Sequence, residues 1–142
     1  MPILNVRISG EPDARKTAEI ANFLLDKTVD ILHKRRDLTA VAIDYVSPEQ
    51  WFVGGRTLAE QGKASFYFDI KIVDGTNTKD EKARYQREVF EGMRERLGDL
   101  HEESYIYVQE VKGDAYGFGG LTQEYRYIAA KVEAEARIAA PA

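Results

Sequence analysis

Cysteine is absent from this 142-residue chain. Its absence excludes disulfides, thiolate nucleophiles and cysteine-ligated metal sites together. Histidine is nearly absent as well: His33 and His101 are dispersed, with no second ligand at metal spacing, so no metal site is expected. There is no basic excess, since 20 Lys and Arg stand against 24 Asp and Glu for a net charge of −4. The chain therefore lacks the electrostatic footprint for nucleic acid or an anionic membrane. No apolar run approaches the roughly 20 residues of a membrane span. No signal peptide is expected either, because Arg7 already lies within the first strand pattern. A cytoplasmic protein is expected.

What is present suits one soluble domain with a sizeable core: 44% hydrophobic and 31% charged residues. Leu4, Val6 and Ile8 alternate with Asn5, Arg7 and Ser9, the two-residue period of a strand with one buried face. Asp13 is an N-cap for a helix running to about Lys34, with an apolar stripe of Ala21, Leu24, Leu25, Thr28, Val29 and Leu32. Glu19, Asn22, Asp26, Asp30 and His33 take the opposite face. A second strand covers about Thr39 to Val46 and is broken by the segment from Ser47 to Gly55.

The same order then recurs. Phe66, Phe68, Ile70 and Ile72 alternate with Tyr67, Asp69 and Lys71. Thr78 and Glu81 form a capping box for a helix with Val89, Phe90, Met93 and Leu97 on one side. A fourth strand runs from about Ser104 to Glu110. Val41, Ile43, Trp51, Gly54 and Gly55 fall opposite Ile106, Val108, Tyr116, Gly119 and Gly120 at an offset of 65 residues. In the first strands the buried faces match only at 64, pairing Leu4, Val6 and Ile8 with Phe68, Ile70 and Ile72, because a one-residue slip would turn the apolar face outward. One residue is thus missing from the first turn.

The repeat predicts an α+β fold: two tandem β-α-β units, about 2–60 and 64–121, forming a four-stranded mixed sheet in a single domain. Right-handed crossovers put both helices on one face. The other face, with Asn5, Arg7, Tyr67, Asp69 and Lys71, is left half polar and uncovered, a surface that such sheets often bury against copies of themselves. Residues 122–142 have helical composition and are expected to pack as a C-terminal arm.

Pro2 stands immediately before the first strand. Trimming of the initiator methionine, expected before a residue this small, leaves it as a free secondary amine. The reference pKa of an α-amino group is about 7.7–8.0. Burial or a neighbouring cation lowers it further, giving an amine that can exchange protons near neutral pH.

The Pro2 start, the duplicated β-α-β, the Asp13-Ala14-Arg15-Lys16 helix opening and the aromatic-x-x-Gly-Gly segments Trp51-Phe52-Val53-Gly54-Gly55 and Tyr116-Gly117-Phe118-Gly119-Gly120 together resemble the tautomerase superfamily. The likeness covers about residues 2–122 and is closest to 4-oxalocrotonate tautomerase members with two fused subunits. It implies a homotrimer in which Pro2 is the general acid/base of a cofactor-independent isomerase, moving a proton between the keto and enol forms of a small 2-keto acid. The matching position in the second repeat is Phe66, so one site per chain is implied. The chain departs from the short tautomerases in both of their substrate-binding arginines. One loop reads Glu11-Pro12 here and Thr76-Asn77 in the second half, and the early second-strand position is Ala40 or Tyr105. A bidentate grip on a dicarboxylate is therefore not expected. Macrophage migration inhibitory factor, a relative, has a tyrosine matching Tyr105 and a lysine near Lys34-Arg35, an arrangement that would polarise an enol oxygen and attract one carboxylate.

The candidate substrate-binding residues are accordingly Tyr105, Trp51, Tyr116, Lys34 and Arg35. Each has a structural alternative. Lys34-Arg35-Arg36 also complements a helix C-terminus, Trp51 and Tyr116 also anchor turns, and Tyr107 is assigned to packing. Arg56 is an unplaced cation, and His33 and His101 are read as solvated. Gly117-Phe118-Gly119-Gly120 lacks the Lys-Ser/Thr of a phosphate loop. Two other functions fit the same fold: a Pro2-dependent hydratase/dehalogenase or decarboxylase of three-carbon acids, and a non-enzymatic trimeric binding module using the C-terminal arm.

Overall fold

The computed structural model describes residues 2–140. The chain divides into two compact units, Met1–Lys71 with Asn77–Gln109, and Ile72–Thr76 with Glu110–Ala142. In chain order the elements of the first repeat are β1 (Ile3–Ser9), α1 (Ala14–Leu32), a 3₁₀ turn (Arg36–Leu38), β2 (Ala40–Val46), β3 (Phe52–Val53), β4 (Arg56–Thr57) and α2 (Leu58–Gln61). The second repeat has β5 (Phe66–Val73), α3 (Lys79–Leu97), β6 (Tyr105–Val111), β7 (Gly117–Phe118), β8 (Leu121–Thr122) and α4 (Gln123–Ala139).

The repeat seen in the sequence is kept by the backbone. Helices α1 and α3 are both 19 residues long and begin 65 residues apart, as do β2 and β6 and the two short hairpins. The buried faces of β1 and β5 differ by 64, so the missing residue does fall in the first strand-helix turn. The main sheet is mixed, with strand order β2-β1-β5-β6. β1 runs parallel to β2, pairing Ile3 with Ala40 and Arg7 with Asp44. Its other neighbour, β5, is antiparallel, pairing Leu4 with Ile70, Val6 with Phe68 and Ile8 with Phe66. These six side chains are at most 2% exposed. Burying each contributes roughly 1.5–3 kcal/mol.

Helices α1 and α3 pack against each other. The apolar stripe of α1 keeps Leu24, Thr28 and Leu32 as expected but is completed by Ile20 and Ile31, leaving Ala21, Leu25 and Val29 half-buried at its flank. The polar face is as expected, with Glu19, Asn22, Asp26, Asp30 and His33 exposed. Helix α1 also ends two residues early, because His33 takes a left-handed conformation (φ 58°) as its C-cap. Lys34 and Arg35 therefore lie past the helix. Asp13 caps α1 by accepting from the Arg15 and Lys16 amides, and Thr78 with Glu81 forms the expected capping box on α3.

One polar contact crosses the helix pair in the core. The Thr28 hydroxyl donates to the Leu24 carbonyl (2.7 Å), and the Tyr85 hydroxyl lies 2.8 Å from Thr28 Oγ1. Because Thr28 has spent its proton on the carbonyl, Tyr85 is the donor. Nearer solvent, Lys27 Nζ (2.9 Å) and Arg84 Nε (2.5 Å) both bond the Glu88 carboxylate, which holds its pKa down to about 2.

The two halves of the hydroxyl pair should not cost the same. Thr28→Val strands the buried Tyr85 O–H and should lower unfolding free energy by about 1–3 kcal/mol, whereas Tyr85→Phe removes a donor and should cost about 1 kcal/mol. Urea unfolding of both variants checks the order. The Glu88 clamp predicts an acid effect. A carboxyl with a depressed folded pKa stabilises fully above its ordinary value of 4.5, and that contribution is lost as pH falls toward about 2. Thermal melts between pH 6 and pH 2 should fall less steeply for Glu88→Gln than for the native chain.

Candidate active site

Pro2 is buried, and its carbonyl accepts the Ala40 amide (3.1 Å), so the ring is held where β1 and β2 begin. The loop that enters β2 at Ala40 carries Lys34 and Arg35. Arg35 is committed to Asp37 through two bonds, Nε (3.1 Å) and Nη2 (2.7 Å), and Arg36 pairs with Asp26. Lys34 is half-buried, and its ammonium is shifted below its ordinary pKa by desolvation, partly opposed by the Glu81 carboxylate. His33 is exposed beside Glu81 (3.0 Å), in keeping with a solvated cap.

At the opposite end of the same sheet Trp51 and Tyr105 come together. They line a hollow of about 460 Å³ with Arg7, Val46, Gln50, Phe52 and Tyr67. Polar contacts assemble this end. Ser9 and Ser65 exchange backbone and side-chain bonds: the Ser9 amide reaches the Ser65 carbonyl (3.0 Å) and the Ser65 amide reaches Ser9 Oγ (2.9 Å). Ser65 Oγ bonds the Glu103 carbonyl (2.8 Å) and lies 3.0 Å from Ser104 Oγ, which donates to the His101 carbonyl (2.7 Å). The loop before β6 is thereby fixed, and with it the position of Tyr105. The Tyr105 hydroxyl donates to the Glu103 carboxylate, so a substrate oxygen must compete for that proton. His101 is occupied structurally, its Nδ1 accepting the Glu103 amide (3.0 Å).

Trp51 is placed by the hairpin that follows it. Gly54 and Gly55 both have positive φ (62° and 80°), as a two-residue type I′ turn between β3 and β4 requires. The Trp51 carbonyl accepts the Leu58 amide (2.8 Å), and Gln61 Nε2 ties back to the Val53 carbonyl (3.0 Å). Arg56, exposed on β4, lies 3.7 Å from Glu60.

The second unit repeats this geometry around Tyr116. Gly119 and Gly120 have φ of 62° and 82°, the Tyr116 carbonyl accepts the Gln123 amide (2.7 Å), and Arg126 replaces Gln61 in reaching the Phe118 carbonyl (3.0 Å). Where Gly62 stops α2 in a left-handed cap, the matching residue is Tyr127, and α4 runs on. The hairpins, and the place of Arg7 in the hollow, escaped the sequence reading. The paired glycines were the signal for the first; Arg7 looked like any polar residue of an alternating strand.

Among the described residues no group of three or more His, Asp or Glu side chains is placed to hold a metal, and no helix is long and apolar enough to cross a membrane.

Neither a family model nor a curated protein sequence matches the chain. Solved structures do. A native fused 4-OT is 19% identical with a TM-score of 0.76, the match covering 87% of this chain and 97% of that one. The Q0 fused 4-OT, a symmetric trimer, is 16% identical with a TM-score of 0.74 over 86% and 96%. A macrophage migration inhibitory factor-like protein from Entamoeba histolytica is 17% identical with a TM-score of 0.70 over 85% and 97%.

The serine cluster generates a direct check. Ser65 is fully buried, so Ser65→Ala leaves the Glu103 carbonyl short of its donor. The expected cost is about 1–3 kcal/mol, with amide hydrogen exchange accelerated across residues 101–105 and unchanged in α1.

Proposed function

We propose that this chain, which carries the fused two-repeat tautomerase fold, is a cofactor-independent isomerase that interconverts the keto and enol forms of a 2-keto acid. The observation that carries the reading is the burial of Pro2 at the head of β1, with its carbonyl anchored to Ala40. With Met1 removed, the pyrrolidine nitrogen is a secondary amine on a residue that the fold buries. Desolvation disfavours its cationic form, so more of it is neutral at physiological pH than the reference value of about 7.7–8.0 implies. The neutral amine takes a proton from the carbon beside the substrate carbonyl and returns it to the other end of the enol, a general acid/base step worth about 10²–10⁴ in rate.

The other residues of the site are drawn from a neighbouring copy. Pro2 and Arg7 are five residues apart on one strand, about 17 Å at the usual strand rise, too far for one small keto acid to touch both Pro2 and the Trp51–Tyr105 hollow of its own chain. The Q0 fused 4-OT is a symmetric trimer, and we assign this chain the same assembly, with one chain's Pro2 set against another chain's hollow. Within such a site Lys34, carried by the loop that leads to Ala40 beside Pro2, is the cation assigned to the developing enolate rather than to the carboxylate. Dehalogenation has less support, since Thr76 and Asn77 stand where activating arginines would be and Asn77 Nδ2 is already bonded to the Leu32 carbonyl (2.9 Å).

Ketonisation of phenylpyruvate enol and of 2-hydroxymuconate tests the proposal. Native protein should turn over at least one of them, and both Pro2→Ala and a variant retaining an N-terminal extension should lose at least 100-fold in kcat/KM with unchanged trimer mass. Activity unaffected by the extension would sink the amine mechanism. Halide release from 3-haloacrylate would replace isomerisation with the dehalogenase reading, and silence on every substrate would leave a binding module.

A further inference from the structure

Arg7 is the cation of the hollow at the Trp51 end, and it is uncommitted. Its guanidinium has no hydrogen-bond or ion-pair partner among the described residues. Asp44 stands opposite it in the β1–β2 register but outside ion-pair distance, and the nearest acid on β5, Asp69, is taken by Lys71 (2.6 Å). Directly across on β5 is Tyr67, 38% exposed. The remaining walls are Trp51, Phe52, Tyr105, Val46 and Gln50, with Phe52 61% and Tyr105 54% exposed toward the opening. One planar cation among four aromatic rings, in a volume near the lower end of the roughly 300–1,000 Å³ range of small-molecule sites, is an arrangement for a small aromatic acid.

We propose that Arg7 is the carboxylate-binding residue of this protein, and that the hollow takes an aryl 2-keto acid with its carboxylate on the Arg7 guanidinium and its ring between Trp51 and Tyr105. The assignment rests on the isomerase reading for its substrate and replaces both missing loop arginines with one on the sheet. It also sets the charge of that substrate. A single guanidinium, with Asp44 and Glu103 close by, accepts one carboxylate and disfavours a second, so monocarboxylates bind and dicarboxylates are rejected. Arginine suits the role because its planar fork presents two parallel N–H groups to a carboxylate, which the point charge of lysine does not.

Trp51 is the only tryptophan in the chain, so its fluorescence reports on this hollow directly. Phenylacetate carries the ring and carboxylate but has no ketone to isomerise, and phenylacetamide is its neutral counterpart. Titrated into the native trimer, phenylacetate should change Trp51 emission with an affinity at least 10-fold above that of phenylacetamide. Arg7→Gln should abolish that preference, Arg7→Lys should retain part of it, and both variants should keep the native mass by sedimentation. Equal binding of acid and amide by native protein would overturn the assignment, as would a preference that survives in Arg7→Gln. Dissociation of the trimer by Arg7→Gln would also overturn it, by making Arg7 a packing residue. The isomerase reading is separable: a native protein that prefers phenylacetate through Arg7 but ketonises nothing loses the proton transfer and keeps the subsite.

Discussion

The antiparallel pairing of β1 with β5 is the contact on which the rest of the first unit depends. It sets Leu4, Val6 and Ile8 against Ile70, Phe68 and Phe66, and it joins two β-α-β repeats about an approximate two-fold axis. Each repeat alone has a two-stranded sheet and one helix, too little to bury its apolar face. Paired, they form one sheet on which α1 and α3 pack side by side, with the Thr28–Tyr85 hydroxyl contact inside and the Lys27–Glu88–Arg84 cluster nearer solvent.

The same two-fold sets where the candidate site residues fall. Opposed repeats put the start of one beside the finish of the other, so Pro2 lies at one end of β1 while Tyr105, the first residue of β6, meets Trp51, which follows β2, at the other. The duplicated scaffold is also asymmetric where it counts. The residue matching Pro2 is Phe66, an internal core side chain with no free amine. Likewise α2 stops at Gly62 while α4 continues for 17 residues with Tyr125, Ile128 and Val132 exposed. Each repeat keeps the backbone and differs in what its ends carry.

Much of the fold was legible because its signals are local. Asp13, Thr78 and Glu81 cap where their spacing says, since a cap is a contact within three residues. The alternation in β1 and β5 names the buried face correctly because the strand period is two. Two readings slipped for equally local reasons. The left-handed conformation of His33 has no strong cue in a residue with a Cβ, so α1 appeared longer than it is. Ile20 and Ile31 were displaced from the expected stripe because Ala21, Leu25 and Val29 are just as apolar, and only packing against α3 chooses between two adjacent lines on a helix. Of the candidate site residues, Trp51 and Tyr105 share a hollow, Arg35 is bound to Asp37, and Arg7 emerges as their companion only once β1, β5 and the first hairpin are set beside each other.

By itself the sequence determined the repeat, the element types and the face each strand buries, because periodicity and capping act over a few residues. A mixed sheet was already expected, but tertiary structure alone decided that β1 meets β5 and in which register. An alternating strand buries the same side chains whichever strand it pairs with, so its pattern names neither neighbour nor register. That pairing carries Tyr105 to the end of β1 away from Pro2, beside Arg7 and Trp51, a consequence of contacts between residues some sixty positions apart.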